Sequence, residues 1–496
     1  MPTPVASTAA APWHRFVAVQ RVTGILLVAF STTLLPPLLI SLLRGEGMAR
    51  PFLDGMGLTL VTGALVWWPV RHVQTDLKIR DGFLVVVLFW VVLSTFGAIP
   101  LYVAHVGWDS YVDAMFEATS GLTTTGATVV SGLDQMPWSI LFYRCQLHWL
   151  GGMGVIVLAV ALLPMLGVGG MQLFRAETPG PMKDAKLTPR IAGTARALWI
   201  IYVMITVICA LVYWMLGMSP FDAICHAMST ISTGGFANHD ASIGYYQSLG
   251  IEIAVMVFML VGAMNFALHF VAWRSRSVLT YLRDAEFRAF IGIVLVFGVL
   301  VCVPLWWFGT YDSLGLAIRK GMFQLIAYGT DAGFATADPT PWPGYVPLLI
   351  VLSGFMVGCA GSTAGGVKVT RLILFTKQAA RELQRLLHPS ATITLKLGGK
   401  TVPDDIVYAV GGFFSIYVGL TIFLTFVMIG TGLDPVTAFS AVAACINNEG
   451  PGLGALNSTM AGVTDFGKWV LIVTMIMGRL EIFTFLIVFT PGFWRR

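Results

Sequence analysis

Charged residues are scarce in this chain. Asp, Glu, Lys and Arg together make up 11% of its 496 residues, whereas an ordinary soluble domain carries roughly 25%. The mean hydropathy is +0.80, and many apolar runs reach the roughly 20 residues that a helix needs to cross a bilayer. These features exclude a soluble protein and predict an all-α polytopic membrane protein.

Cysteine is also rare, and the usual catalytic motifs are missing. The six cysteines stand singly in apolar surroundings without a CxxC pair, so we expect them to pack in the core. The eight histidines form no HExxH motif, and no GxSxG sequence is present. An intramembrane enzyme is therefore disfavoured. The first apolar run, about 23–43, is too long for a signal-peptide core and is predicted to be a retained span.

What the chain does contain is a polar, glycine-containing turn that recurs four times. The proposed turn glycines are separated by 108, 99 and 117 residues, which indicates a fourfold internal repeat. We interpret the turns as four quarters of one ion filter. Its predicted residues are Thr124, Thr125 and Gly126; Ser232, Thr233 and Gly234; Asp331, Ala332 and Gly333; and Asn448, Glu449 and Gly450.

Each turn lies inside a unit that reads span, short apolar segment, turn, span. The four units run over about 82–168, 195–273, 287–378 and 404–491, after two N-terminal spans at 17–43 and 56–72. The predicted organisation is therefore an N-terminal two-helix hairpin and four pore repeats around one pseudo-fourfold axis. The predicted domain bounds are 1–75, 76–170, 171–275, 276–400 and 401–496.

The short segments carry helix-start signals and are predicted to be half-helices. Ser219 and Asp434 each precede a proline, and Asp109-Ser110 and Asp312-Ser313 supply candidate caps in the other two units. Segments of about 10–14 residues are too short to cross the bilayer. Non-helical backbone is tolerated at that depth only where it lines a cavity. Four helix C-termini aimed at the membrane interior would favour a cation there.

The distribution of basic residues predicts the orientation. With ten spans and a cytoplasmic N-terminus, the cytoplasmic segments hold 23 of the 30 Lys and Arg residues, so both termini are expected to be cytoplasmic. This bias also accounts for the net charge of +5 without a nucleic-acid partner. The exceptions are Arg44, Arg50, Arg144, Arg319, Lys320, Lys468 and Arg479.

A filter for an alkali cation must replace the water shell of the ion with oxygen atoms at fixed positions. Rings of backbone carbonyl groups do this without a charged side chain, and glycine permits the positive φ that such strands require. The substrate predicted from the turns is therefore a dehydrated monovalent metal ion, with no cofactor bound in this chain.

Two features below the predicted filter indicate a gate. Glycines are concentrated in the second span of unit three, where each costs about 1 kcal/mol relative to alanine in a helix. Arg479 lies about twelve residues from the end of the last predicted span, and we expect it to face the pore rather than form a structural ion pair. A passive kink remains the alternative for the glycines. The candidate gate residues are Gly358, Gly361, Ser362, Thr363, Gly365, Gly366, Lys368 and Arg479.

The cytoplasmic stretch 369–402 begins as a basic helix and then alternates polar and apolar residues on both sides of Gly398-Gly399. This pattern predicts a β-hairpin. The loop is either a docking surface for a soluble partner or a solvated connector.

Several longer stretches resemble the Trk/Ktr/HKT superfamily of potassium transporters, and the TrkH branch in particular. The resemblance covers nearly the whole chain. Its motifs are WLGGMG at 149–154, GVG at 167–169, RAE at 175–177, PGPMK at 179–183, GCAGSTAGGVK at 358–368 and GRLEIFT at 478–484.

The resemblance implies a potassium-uptake subunit of a bacterial inner membrane, with one pore per subunit in a homodimer. It further implies a cytoplasmic TrkA-type regulatory ring that binds a nucleotide (ATP/ADP or NAD), contact with membrane lipid, and an intramembrane gate loop. The filter glycines of the family correspond to Gly126, Gly234, Gly333 and Gly450.

Two residues depart from the family pattern. Glu449 stands where an apolar residue is usual, and Asp331 stands where a hydroxyl residue is usual. Only moderate discrimination between potassium and sodium is therefore expected. A proton- or sodium-coupled symporter with broken helices stays open as the alternative, because these two carboxylates could titrate beside the substrate. A non-transporting scaffold would have no use for four capped half-helices.

Overall fold

The computed structural model describes residues 16–72, 79–108, 110–157, 191–356 and 358–495. Helices make up most of the described chain. In chain order they are α1 Val17–Thr32, α2 Leu35–Arg44, α3 Ala49–Trp67, α4 Ile79–Ala104, α5 Tyr111–Leu122, α6 Trp138–Val157, α7 Ile191–Met215, α8 Pro220–Ile231, α9 Leu249–Gly262, α10 Phe266–Ser275, α11 Leu279–Arg283, α12 Ala285–Trp307, α13 Leu314–Gly329, α14 Val346–Gly354, α15 Val369–Leu387, α16 Asp404–Gly430, α17 Pro435–Ile446, α18 Asp465–Arg479, α19 Phe483–Leu486 and α20 Pro491–Trp494.

The described helices fit a multi-pass membrane protein. Six of them are long and apolar enough to cross a bilayer, if α1 and α2 are counted together as one helix. Two further spans are possible, because each of two bent helix pairs could form one, which gives eight. The chain bends by 98° between α9 and α10, and by 108° between α18 and the helix that follows it. The prediction of a continuous last span was therefore wrong. Glu481 and Ile482 have φ values of 55° and 53°, which an α-helix cannot contain.

The N-terminal hairpin packs through glycine contacts. Gly63 of α3 faces α1, where an added Cβ would lie 2.9 Å from the Cβ of Leu27. This hairpin also packs on α4, the first helix of unit one. The second predicted span begins earlier than 56–72, because α3 starts at Ala49.

The four short segments form capped half-helices, here called the pore helices: α5, α8, α13 and α17. Each begins with a side-chain oxygen that accepts a hydrogen bond from a backbone N–H in the first turn. The capping prediction is confirmed for Ser110, Ser219, Ser313 and Asp434, whereas Asp109 lies outside the described residues. The third pore helix, α13, has 16 residues and exceeds the predicted length.

In units one, two and four, the helix that follows the turn is called the second helix. Its glycines let it lie close to the end of the pore helix. A side chain at Gly151 would overlap the carbonyl oxygen of Leu122, and one at Gly478 would overlap that of Ile446. At Gly262 an added Cβ would lie 3.1 Å from the carbonyl oxygen of Ile231. The second helices of units one, two and four thus pack against their own pore helix in the same way.

Most of the basic residues outside the predicted cytoplasmic segments form ion pairs with buried acidic side chains. Arg319 and Lys320 both bond Glu252, a side chain with only 1% exposure, and this contact joins unit three to unit two. Lys468 bonds Asp113 at 2.6 Å and joins unit four to unit one. Buried ion pairs therefore tie neighbouring units together.

Replacing Lys468 by Met is expected to destabilise the fold strongly. The two side chains of this pair are only 8% and 12% exposed, so the substitution leaves the Asp113 carboxylate buried without its cation. Breaking a buried ion pair costs about 3–5 kcal/mol. The apparent melting temperature of the detergent-purified protein should fall, and the double variant K468M/D113N should recover part of the loss. A single variant that melts like the wild type would contradict this.

The predicted β-hairpin is confirmed. Strands β1 Lys396–Leu397 and β2 Lys400–Thr401 pair antiparallel around Gly398 and Gly399, both of which have positive φ. Leu395, Leu397 and Val402 pack against α15 and α16. The hairpin is therefore anchored to α15 and α16 rather than free in solvent.

Candidate ion filter and gate

Each pore helix ends in the same hydrogen-bonded turn. A residue with positive φ follows the helix, and the next backbone N–H donates to a carbonyl oxygen five residues earlier, as in a Schellman motif. The positive-φ residues are Thr124, Thr233, Asp331 and Asn448. The N–H···O distances are 2.8 Å for Thr125 to Ser120, 2.8 Å for Gly234 to Ser229, 2.9 Å for Ala332 to Ala327 and 2.8 Å for Glu449 to Ala444.

This geometry corrects the predicted register of the second turn by one residue. The residues with a second positive φ are Gly126, Gly235, Gly333 and Gly450. Gly234 therefore corresponds to the middle residue of the other turns, and Gly235 to their glycine. Ser232 is the C-cap of α8, one position before the turn begins.

The second turn contains two glycines for two different reasons. Gly235 adopts φ +84°, which favours glycine. A side chain at Gly234 would instead collide with the imidazole of His148, which stacks on Phe236 with 4.0 Å between ring centroids. Sequence alone could not separate these roles, because His148 lies 86 positions away from Gly234 in the chain.

The four turns close into a ring. A Cβ added at any of the four positive-φ glycines would lie within 2.6 Å of the carbonyl oxygen of the middle residue in the next turn. The contacts run from the first turn to the second, from the second to the third, from the third to the fourth and from the fourth back to the first. The glycine–oxygen partners are Gly126 with Gly234, Gly235 with Ala332, Gly333 with Glu449, and Gly450 with Thr125.

This ring brings backbone oxygens of all four turns together. Four half-helix C-termini meet there, and their partial negative charge stabilises a cation. The turn residues are buried apart from Gly126, Gly235 and Gly333, which are partly buried, so the oxygens are held by packed protein. The donor set is chemically suited to a dehydrated monovalent cation.

The two acidic turn residues occupy different places. Glu449 contributes its backbone carbonyl group to the ring, while its carboxylate points away and lies 2.6 Å from the position that a Cβ on Gly354 would occupy. Asp331 is the positive-φ residue of the third turn, a conformation that Asp and Asn tolerate. Within the described chain, neither carboxylate has a hydrogen-bond partner, and both are fully buried.

Side chains on three of the four pore helices accept hydrogen bonds from the segment that leaves the turn, and the sequence reasoning missed them. Glu117 accepts a hydrogen bond from the N–H of Val129, and Arg144 binds the same carboxylate at 2.8 Å. Arg144 is therefore structural. Gln324 accepts from the N–H of Thr336 in unit three, and the Ser440 hydroxyl does the same for Leu453 in unit four. A polar residue inside an apolar half-helix is the signal that could have revealed them.

The second span of unit three breaks where the glycines predicted it. Helix α14 ends at Gly354, α15 begins at Val369, and the backbone between them is irregular in its described part. We call 358–368 the gate loop. Its Thr363 hydroxyl lies 3.0 Å from both the Ile231 and Gly262 carbonyl oxygens, and 3.2 Å from the Thr233 hydroxyl. The loop thus contacts the inner end of the second pore helix.

The other end of the gate loop contacts the fourth unit. A side chain at Gly365 would collide with the carbonyl oxygen of Asn447, the C-cap of α17, and one at Gly366 would lie 2.6 Å from the carbonyl oxygen of Gly354. Units two and four are opposite members of the ring. The loop therefore reaches from one quarter to its opposite at the inner ends of the pore helices.

Arg479 joins the fourth unit to the gate loop. It is the last residue of α18, not the interior of a continuous span, and its Nη1 donates to the carbonyl oxygen of Thr363 at 2.8 Å. No carboxylate pairs with it in the described part of the chain, and its Nε and Nη2 are buried without partners. A positive charge is thus held against the loop, below the ring.

The remaining gate residues hold the base of the loop. Gly361 accepts a hydrogen bond from the N–H of Phe266 at the α9–α10 bend, and Ser362 bonds within the loop to Cys359. The ammonium group of Lys368 bonds the carbonyl oxygen of Ala364, and Gly358 accepts from the N–H of Val369. All the predicted gate residues therefore lie in one assembly.

An ionic cluster beyond the second turn links units one and two. His239, four residues past Gly235, lies 2.5 Å from Asp134 and 3.6 Å from Asp222. Burial lowers the pKa of His239, but the hydrogen bonds and charges of the two carboxylates outweigh it, so the pKa is raised.

Stability is therefore expected to decrease at alkaline pH. A raised pKa in the folded state stabilises the protein fully below the unfolded value of about 6.5, and the contribution is lost as pH rises through the folded value. The apparent melting temperature should fall above about pH 6.5, and the variant H239Q should lose this slope. The control is H105Q, which changes an exposed histidine; an identical slope in both variants would refute the assignment.

The chain is similar to known proteins over nearly its whole length. The family model described as TrkH, cation transport protein, matches residues 49–495. A Trk system potassium uptake protein TrkH of Halomonas elongata is 50% identical over 478 residues, which cover 96% of this chain and 99% of that protein. The protein of the same name in Escherichia coli K12 is 48% identical over 480 residues, covering 97% and 99%.

A solved structure agrees with the fold. The crystal structure of the potassium transporter TrkH from Vibrio parahaemolyticus matches with a TM-score of 0.90 at 48% identity, covering 97% of this chain and all of that chain.

Proposed function

Because the chain belongs to the TrkH family of cation transport proteins, we propose that it takes up potassium across the bacterial inner membrane through a gated filter of backbone carbonyl groups. The relatives are potassium uptake proteins and not enzymes, so the chain is not an enzyme. The observation that carries the filter proposal is the ring in which each turn glycine faces a carbonyl oxygen of the next turn.

The gate proposal rests on the path of the gate loop. It reaches from the second to the fourth unit, and Arg479 is bonded to Thr363 within it. A loop with a fixed positive charge at this place raises the barrier to a cation leaving the filter. Movement of the loop away from the axis opens the path.

Regulation is proposed to act through α15, which continues directly from the gate loop to the cytoplasmic side. Leu383, Leu386 and Leu387 at its far end are 66%, 79% and 76% exposed. Such a surface suits a cytoplasmic TrkA-type ring whose nucleotide, ATP/ADP or NAD, controls the loop, with the transport subunit as a homodimer and both termini cytoplasmic.

Uptake of rubidium or potassium into a potassium-transport-deficient strain tests the function. Cells that make the protein should accumulate the ion and grow at low potassium, and a tenfold excess of sodium should compete only in part. The absence of uptake above the empty vector, with the protein present in the membrane, would overturn the proposal.

One observation favours coupled symport as the second candidate: the carboxylates of Asp331 and Glu449 are buried beside the ring without hydrogen-bond partners in the described chain. Potassium uptake into proteoliposomes with and without an imposed proton gradient separates the two candidates. A passive pore follows the potassium gradient alone. A symporter accumulates potassium against it when the proton gradient is present and loses this ability in E449Q.

A further inference from the structure

An apolar groove lies on the outer side of the α9–α10 bend. Its volume is about 440 Å³, and α7, α9, α10 and α11 form its walls. Ile205 and Ile208 line it from α7, while Phe258 and Val261 line it from α9. Ile208 is 46% exposed, so the groove opens sideways from the protein, where the chain meets the hydrocarbon of the bilayer.

The other end of the groove is polar and positively charged. Arg276 lines it directly, at the left-handed C-cap of α10 with φ 49°. Three further exposed arginines, Arg274, Arg283 and Arg288, lie on the same helical corner. None of the four forms an ion pair within the described ranges. The basic-residue bias places this corner on the cytoplasmic side.

The surroundings of the groove fit the boundary between hydrocarbon and headgroups. Trp273, Val278 and Leu282 are 56%, 78% and 58% exposed beside the arginines, and exposed aromatic and aliphatic side chains next to arginines are typical of that depth. His269 and Tyr281 bond each other at 2.8 Å and close the groove between its apolar and basic ends.

We infer that this groove binds an anionic phospholipid of the cytoplasmic leaflet. An acyl chain occupies the apolar part between α7 and α9, and the phosphate headgroup meets Arg276 and the neighbouring arginines. Basic pockets between membrane helices on the cytoplasmic side are known to select anionic headgroups. A zwitterionic lipid would carry the same chain but would lack the net negative charge that the arginines complement.

The position of the groove gives the lipid a structural consequence. The opposite side of the same bend holds the gate loop, because the Cys359 N–H donates to the Ala263 carbonyl oxygen and the Phe266 N–H to that of Gly361. A lipid in the groove therefore supports the segment against which the gate loop rests. The binding inference itself does not depend on the transport proposal.

Native mass spectrometry of the full-length protein, purified in mild detergent with added phosphatidylglycerol or phosphatidylcholine, tests this inference. The wild type should retain phosphatidylglycerol preferentially. Arg276→Gln should weaken its retention about fivefold, while Arg385→Gln, which removes a charge from α15 away from the groove, should leave retention unchanged.

A second pair of variants tests the apolar part without altering charge. Ile208→Trp fills the groove and should also weaken retention, whereas Val207→Trp, on the neighbouring exposed position that does not line the groove, should not. Equal retention of the two lipids by the wild type would overturn the inference. So would unchanged retention in both Arg276→Gln and Ile208→Trp.

Discussion

Replacing Gly235 by alanine is expected to abolish potassium uptake. The residue has φ +84°, which a side chain destabilises by about 1–2 kcal/mol. More importantly, the new Cβ would overlap the carbonyl oxygen of Ala332, one of the four oxygens of the ring. That oxygen must move, so the ring loses its geometry and uptake per molecule should fall by at least about tenfold, since a shift of only 1.4 kcal/mol has that effect.

Gly432→Ala is the matched control for this experiment. Gly432 has φ +100° but no atom within 4 Å of an added Cβ, so it suffers the same backbone strain without the collision. Uptake should be measured with rubidium and normalised to the protein present in the membrane. The filter assignment requires G235A to lose transport while G432A keeps it. Wild-type uptake by G235A would show that the ring is not the path of the ion.

Arg479→Gln is expected to raise basal potassium flux through the protein in the absence of a regulatory partner. The substitution removes the positive charge below the ring and the charge-assisted hydrogen bond to the Thr363 carbonyl oxygen. A hydrogen bond to a charged group contributes about 1.5–3 kcal/mol. The gate loop should therefore leave its closed position about ten- to a hundredfold more often.

Flux into proteoliposomes measures this effect directly. Arg479→Lys keeps the charge and serves as the control, and it should stay near wild-type flux. A variant that lacks most of the gate loop should conduct at least as well as R479Q. Unchanged flux in both R479Q and the loop deletion would refute the gate. A lowered melting temperature without a change in flux would mean that Arg479 is a structural residue.

The features that the sequence predicted well are local ones. The caps of the pore helices at Ser110 and Asp434 depend on a side chain and a backbone N–H two or three residues away. The break after Gly354 depends on the density of glycine within the same segment. Such effects act over one helical turn, so a pattern of neighbouring residues is sufficient to indicate them.

The features that it missed depend on distant partners. The second glycine of the second turn, Gly234, is explained by His148, which excludes a side chain there. Helix α18 ends at Arg479, which donates a hydrogen bond to Thr363, a residue 116 positions earlier in the chain. The carboxylate of Glu449 faces Gly354, and nothing near it in the chain indicates this contact.

By itself, the sequence determined that the chain is a membrane protein with four repeated units, because hydropathy, capping residues and repeat spacing are properties of contiguous segments. Only the tertiary structure decided which glycine of each turn faces which carbonyl oxygen, and which units the gate loop contacts. Those relations join residues about a hundred positions apart or more, and the packing of four unlike units around one axis sets them.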